Sequence, residues 1–276
     1  MITVHEVPIL ATLVVMHTLC TAVMIARVYV RVRIVRIFWL EDYLMLGCYA
    51  FSLSMMATHL FQIVDLDAIG IPKPLIVPSA YRSYRITLWL LSWLYGVTLT
   101  LCKLSILSQF HRIFSSSHRT IPLLCKIMMV LVVLLGLYIS LGSVLRCVPP
   151  KKLWEDAADG KCMDRTGFFF SHSVLNIVTD VAIFALPLGP IRKMKLPRVQ
   201  RWALMGVFGL GFFVCITSTI RLVGLYQITQ SINRAKNGIN IAVWSTVEIN
   251  AAIICGSLPM LKPLDGDGDG DLDGEL

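Results

Sequence analysis

Charge is what this chain has least of. Asp, Glu, Lys and Arg make up only 15% of its 276 residues, against about a quarter in an ordinary soluble domain. That shortage argues against a water-soluble fold. Other absences narrow the chemistry. The chain has no Walker-type glycine loop, no His-Glu-x-x-His pair and no Cys/His cluster at metal-ligand spacing, so neither nucleotide chemistry nor a metal centre is expected, and no cofactor is called for. No lysine lies between Ile239 and Leu261, the last apolar stretch, where a retinal Schiff base would need one. Met1–Pro8 carries no Lys or Arg and no small-residue cleavage site, so the start reads as an uncleaved signal anchor rather than a signal peptide. No internal repeat is evident.

Apolar residues are plentiful instead: 56% of the chain, with a mean hydropathy of +0.73. They gather into seven stretches of about 19–25 residues, and about 20 suffice for a helix to cross the hydrocarbon core. Inside that core a helix satisfies every backbone N–H and C=O within its own segment. The stretches are Val7–Tyr29, Asp42–Val64, Ile86–Phe110, Ile121–Leu145, Phe168–Ile191, Trp202–Ile228 and Ile239–Leu261. The fold class expected is an all-α membrane protein, a seven-transmembrane-helix bundle over residues 1–264, followed by a flexible acidic Gly/Asp tail over 265–276. The protein is expected to be integral and multi-pass, in the plasma membrane or an endomembrane.

Positive charge sets the expected orientation. Segment 1 has no basic residue before it and Arg27, Arg31, Arg33 and Arg36 at its far end, which places the N-terminus outside and the C-terminus in the cytosol. Over the whole chain the bias is shallow, 13 basic residues inside against 10 outside. The net charge of +8 comes from loops between apolar segments. It points to anionic headgroups of membrane lipids as partners and not to nucleic acid. Cys147 and Cys162 fall in the loop assigned outside, where thiols oxidise; a disulfide is favoured over two unpaired cysteines. Glu41 and Asp42 open segment 2 and are expected to pair with Arg27 or Arg31 as an interfacial network. The tail residues Asp265, Asp267, Asp269 and Gly270 match the opening of a calcium loop, but Leu276 stands where its final Glu should be; a solvated tail is the better reading.

Four ionisable residues lie deep inside the segments: Lys103, Asp180, Arg221 and Glu248. Each costs about 2.5–3.5 kcal/mol near the bilayer centre on insertion scales, so each should face the bundle interior and find a partner. Arg85, Trp89, Trp93, Gly96, Thr100 and Lys103 recur at steps of three and four on one helical face. That face is either a polar, inward-turned stripe or a helix-packing stripe. His172, Asn176 and Asp180 share a face of segment 5, Thr217 and Arg221 one of segment 6, and Trp244 and Glu248 one of segment 7. By depth, Arg221 and Glu248 are expected to pair. His59, Arg85, Trp89, Trp93, His172, Asn176, Asp180, Arg221, Trp244 and Glu248 would then line an outward-facing pocket between helices 2, 3, 5, 6 and 7.

In order along the chain, several polar landmarks resemble the fungal rhodopsin-domain family. They are Arg27-Val-Tyr29-Val-Arg31 with Glu41-Asp42-Tyr43, Lys103-Leu-Ser105 with Arg112-Ile-Phe114, and Cys147, Trp154 and Cys162. Asn176-Ile-Val-Thr-Asp180 with Leu186-Pro187, then Gly211, Cys215 and Ile220-Arg221, and Trp244-Ser-Thr-Val-Glu248 with Leu258-Pro259 complete the set. The family is similar in type to satratoxin-cluster and appressorium-receptor membrane proteins of filamentous fungi. The resemblance implies a seven-helix protein with its N-terminus outside, often receptor-like, and in many members encoded beside secondary-metabolite genes. It does not imply retinal. Two departures stand out: Trp39-Leu40 replaces the usual Gly before the acidic pair, and the chain stops soon after segment 7.

The leading expectation is a receptor-like or secondary-metabolite-pathway membrane protein that binds a small lipophilic metabolite. Trp89, Trp93 and Trp244 would supply apolar or cation–π surface, while Arg221 and Glu248 would orient polar groups. The alternative is a membrane enzyme of cyclase or isomerase type with Asp180 or Glu248 as general acid. A G protein is conceivable as a partner, but inner loops of about ten residues offer it little surface.

Overall fold

The computed structural model describes residues 7–64, 78–115, 120–154, 159–187, 198–230 and 234–260. Within them run seven long helices: α1 Val7–Tyr29, α2 Leu40–Val64, α3 Pro78–Phe114, α4 Thr120–Leu145, α5 Arg165–Ala185, α6 Arg198–Gln230 and α7 Arg234–Ser257. All seven are long and apolar enough to span a bilayer. The proline-bearing loop after Val64, the basic loop with Arg192, Lys193 and Lys195, and the acidic tail Asp265–Leu276 lie outside the described residues.

The helix ends match those of the seven apolar stretches to within five residues, with two larger differences. Helix α3 runs for 37 residues, about 55 Å at 1.5 Å per residue, and so is longer than the roughly 30 Å hydrocarbon core. Helix α5 stops at Ala185, short of the expected Ile191. Its last turn closes with the Leu186 N–H donating to the Ala182 carbonyl at 3.2 Å. Pro187 follows, with no N–H to continue the ladder.

Amphipathicity here is inverted relative to a soluble protein. Helix α4 turns Leu124, Leu131, Leu134 and Leu141 outward, as suits a lipid-facing surface, while α3 and α7 are the most enclosed of the seven. Small residues set the closest approaches. A methyl added at Gly96 of α3 would lie 2.8 Å from Ile139 of α4, and one at Gly136 of α4 would lie 2.6 Å from Thr100 of α3. These two glycines therefore make room for a side chain of the facing helix, Ile139 and Thr100 respectively, and small residues of this kind are common where membrane helices associate.

The two ends of the bundle differ. At one end Cys147 and Cys162 form a disulfide, and Cys147–Val148 pairs antiparallel with Lys161–Cys162 in a two-stranded ribbon. At the other end α1 continues into a wide π turn, Val30–Val35, and Arg36 adopts a left-handed conformation, φ 56°. The chain then enters α2, where Asp42 accepts from the Trp39 N–H at 3.1 Å, a carboxylate in the first turn reaching back to the cap position. Asp42 also lies 2.9 Å from Arg27 and 2.8 Å from Arg31, and Glu41 lies 3.2 Å from Arg31 and 2.8 Å from Arg112. Arg27 donates a further bond to the Gly256 carbonyl at 2.9 Å, and Gln109 donates to the same oxygen at 3.0 Å. The expected pairing of the acidic pair with Arg27 and Arg31 is thus present, and it extends to α3 and the C-terminal end of α7. Because Glu41 and Asp42 are fully enclosed, these contacts are a buried junction of four helices, not a solvated rim.

Gly96→Ala tests the close packing of α3 on α4. Overpacking typically costs about 1–3 kcal/mol, so the apparent unfolding temperature in detergent should drop. Gly47→Ala, whose new methyl would sit an ordinary 3.7 Å from Leu101, should leave it unchanged or raised. Equal behaviour of the two variants would contradict the packing described.

Candidate functional site

Four helices deliver the deep charges to one place. Lys103 comes from α3, Asp180 from α5, Arg221 from α6 and Glu248 from α7, and all four are buried. Lys103 Nζ lies 3.1 Å from Asp180 Oδ1, and Arg221 Nε lies 3.0 Å from Glu248 Oε2. Two cations face two carboxylates, so the group is electrically neutral. That is the arrangement a low-dielectric interior demands, since an uncompensated charge there is the costly alternative.

Polar side chains weld the two ion pairs together. The Asn176 carbonyl oxygen accepts from Lys103 at 2.7 Å, while its amide nitrogen donates to Asp180 at 3.2 Å and to Glu248 at 3.0 Å. An ammonium only donates and a carboxylate only accepts, so the amide can have just this orientation. Ser218 sits between the same carboxylates, 2.5 Å from Glu248 Oε1 and 3.4 Å from Asp180 Oδ2. With one hydroxyl proton it serves the nearer oxygen. Tyr95 donates to Glu248 Oε2 at 2.7 Å and offers its ring face to the Arg221 guanidinium at 4.4 Å. Arg221 Nη2 reaches Ser173 Oγ at 3.2 Å. Lys103 also donates to the Asn176 backbone carbonyl at 3.0 Å and to Thr179 Oγ1 at 2.7 Å. Its three protons are therefore fully claimed.

The structure brings together five of the ten residues expected to line the pocket. Asn176, Asp180, Arg221 and Glu248 belong to the network, and His172 sets its ring edge-on to Tyr95 at 6.2 Å. The other five lie elsewhere. Trp89 donates to the Ser143 carbonyl of α4 at 2.9 Å, and Trp93 packs edge-on against Phe51 of α2 at 6.3 Å. Arg85 points to the Lys152 carbonyl in the disulfide loop at 3.5 Å. Trp244 is half-buried on α7, one turn before Glu248. The α3 stripe is accordingly divided: Trp89, Gly96 and Thr100 meet α4, and Lys103 turns to α5. His59 and Gln62 form no part of the network, and Gln62 donates to Thr87 at 2.7 Å.

Tyr95, Ser173 and Ser218 complete the network without having been singled out from sequence, and Thr179 joins it from within the Asn176–Asp180 landmark. The signal available was helical spacing: Ser218 lies three residues before Arg221, and Ser173 three before Asn176. Hydroxyl residues are common in such helices and often bond their own backbone, as Thr217 does to Val214 at 2.8 Å, so spacing alone did not single them out.

Space beside the network is small. A cavity of about 20 Å³ lies between α3, α4 and α5, lined by Thr100, Lys103, His172, Asn176 and Thr179 among apolar neighbours. A second, of about 10 Å³, lies under Lys103 and Asp180. The first is room for about one water. Among the described residues, no group of three or more His, Cys, Asp or Glu is arranged to hold a metal ion.

Seven membrane-length helices joined through a buried charge network define a multi-pass integral membrane protein of the seven-helix class. Within that class, the fungal rhodopsin domain model matches residues 26–265, and the chain belongs to this family. Two relatives bear the names of biosynthetic clusters. Satratoxin biosynthesis SC1 cluster protein 4 of Stachybotrys chartarum is 25% identical over 62% of this chain and 62% of its own length. Wortmanamides biosynthesis cluster protein C of Talaromyces wortmannii is 26% identical over 83% of this chain and 62% of its own. Receptor GIN3 of Arthrobotrys oligospora is 28% identical over 32% of this chain and 21% of its own. The chain thus spans less than two thirds of the length of these relatives. No solved structure matches it.

Removing one partner of a buried pair typically costs about 3–5 kcal/mol. Arg221→Met should therefore lower stability by that order in denaturant titrations of the detergent-solubilised protein, because Glu248 is left charged and enclosed. Adding Glu248→Gln to that variant should recover at least half the loss. If the double variant is no more stable than Arg221→Met alone, the pair is not compensating buried charge.

Proposed function

We propose that this chain is a receptor-like membrane protein of a secondary-metabolite pathway, with its N-terminus outside and its C-terminus in the cytosol. Its ligand would be a small, partly apolar molecule that binds on the outward side of the network, near His172, Asn176, Arg221, Trp244 and Glu248. One observation carries this reading: a single neutral network ties α3, α5, α6 and α7 together, so a molecule that disturbs one member shifts four helices at once. Asn176 is the hinge of that coupling, since its amide donates to both carboxylates, with Ser218 seated between them and bonded to Glu248. Trp244, half-buried one turn before Glu248 on α7, would give the ligand an aromatic surface. Relatives named for biosynthetic clusters and a relative named as a receptor support the same direction.

The same network weighs against the enzyme alternative. A general acid must hold a transferable proton within reach of substrate, whereas Asp180 and Glu248 both serve as acceptors for cations and neutral donors. The space beside them, about 20 Å³, would have to open widely to admit a lipophilic metabolite.

Deletion of the gene, followed by metabolite and transcript profiling, separates the two. The receptor reading expects altered transcription or development, with intracellular precursors still converted. It is contradicted if a precursor accumulates that membranes containing the protein turn over, and if folded Asp180→Asn or Glu248→Gln protein does not.

A further inference from the structure

The four arginines that close segment 1 divide into two pairs with different fates. Arg27 and Arg31 are enclosed and bonded to Glu41 and Asp42. Arg33 and Arg36 are exposed and, among the described residues, have no ion-pair or hydrogen-bond partner. The π turn over Val30–Val35 and the left-handed Arg36 produce this division, turning Arg31 inward and the next two guanidiniums outward. Around those two, the elbow between α1 and α2 exposes large apolar and aromatic side chains: Ile34, Ile37, Trp39, Leu40 and Tyr43, the last at 63% exposure. Such residues would be a liability in water. They suit the headgroup level of a bilayer, where Trp and Tyr concentrate and where a guanidinium meets phosphate.

We infer that the α1–α2 elbow is a binding site for an anionic phospholipid, with Arg33 and Arg36 contacting the negative headgroup and Trp39 and Tyr43 flanking it at the interface. This goes beyond the receptor reading and does not depend on it. Several features support it. Among the described residues the two cations have no partner, and neighbouring Glu41 and Asp42 are already committed to Arg27, Arg31 and Arg112, so these two acids do not neutralise them. The elbow is held in shape by the buried junction beneath it, including the Asp42 bond to the Trp39 N–H, so the arginines are presented from a braced turn. Arg112 stacks on Trp39 at 5.2 Å and fixes the indole at the rim. The site lies at the ends of two membrane-length helices, the level at which a bilayer presents its headgroup phosphates.

The test uses the full chain, purified in detergent and delipidated, with phosphatidylserine and phosphatidylcholine as competing probes and retained lipid counted by native mass spectrometry. The wild-type protein should retain phosphatidylserine in preference to phosphatidylcholine. Each arginine near an anionic surface is worth about fivefold in affinity, so Arg33→Gln/Arg36→Gln should bind phosphatidylserine on the order of thirtyfold more weakly. Arg33→Lys/Arg36→Lys keeps both charges and should bind close to wild type. Lys161→Gln, at the disulfide end, should not change binding, and excess inorganic phosphate should not displace the lipid. Equal retention of the two lipids, an unchanged affinity in the double glutamine variant, loss in the double lysine or Lys161→Gln variant, or displacement by phosphate would each overturn the inference. Arg33 and Arg36 are exposed and have no partner among the described residues, which makes both double variants compatible with folding.

Discussion

Without water around it, a charge must be answered by another charge, and this requirement organises the bundle. Lys103, Asp180, Arg221 and Glu248 each sit where hydrocarbon or protein replaces solvent. Their only inexpensive arrangement is mutual, and the structure provides it through contacts of 3.1 and 3.0 Å. The consequence reaches beyond the four residues. Each comes from a different helix, so satisfying the charges fixes how α3, α5, α6 and α7 stand relative to one another. Packing between apolar faces in a membrane has no comparable directionality, because lipid tails are as apolar as leucine.

The arginine end repeats the same logic with a different outcome. Three arginines converge on two carboxylates and on the carbonyl of Gly256, tying α1, α2, α3 and α7. The remaining two arginines stay outside, next to exposed aromatics. One short run of basic residues therefore supplies both an internal clasp and an external cationic surface, and the π turn decides which residue does which. The helices carry two polar anchorages, one at mid-bundle and one at the end. Helices α3 and α7 belong to both, consistent with their being the most enclosed of the seven.

Much of this was legible in the amino-acid sequence. Helix positions follow from runs long enough to cross a bilayer, and the pairing of Arg221 with Glu248 follows from counting residues from helix ends. The disulfide and the Arg27/Arg31 clasp were legible for similar reasons: a loop assigned to an oxidising side, and acids facing bases across a tight turn. Periodicity was less informative about partners. It placed Trp89, Trp93 and Lys103 on one face of α3, yet three different neighbours take them, because a face as long as that of α3 passes several helices. Tyr95 and Ser218 escaped notice since a lone hydroxyl carries no cost that demands explanation until its neighbours are known. Pro187 was the missed stop signal in α5.

The central claim is that the two ion pairs act as one unit through Asn176. A double-mutant cycle on the carboxylates tests it most directly: the unfolding free energies of Asp180→Asn, Glu248→Gln and the combined variant, measured against wild type. A joined network predicts a coupling of at least about 1 kcal/mol, since residues sharing hydrogen-bond partners are non-additive by roughly 0.5–3 kcal/mol. Additivity within about 0.3 kcal/mol, the behaviour of independent sites, would show two separate pairs and contradict the account.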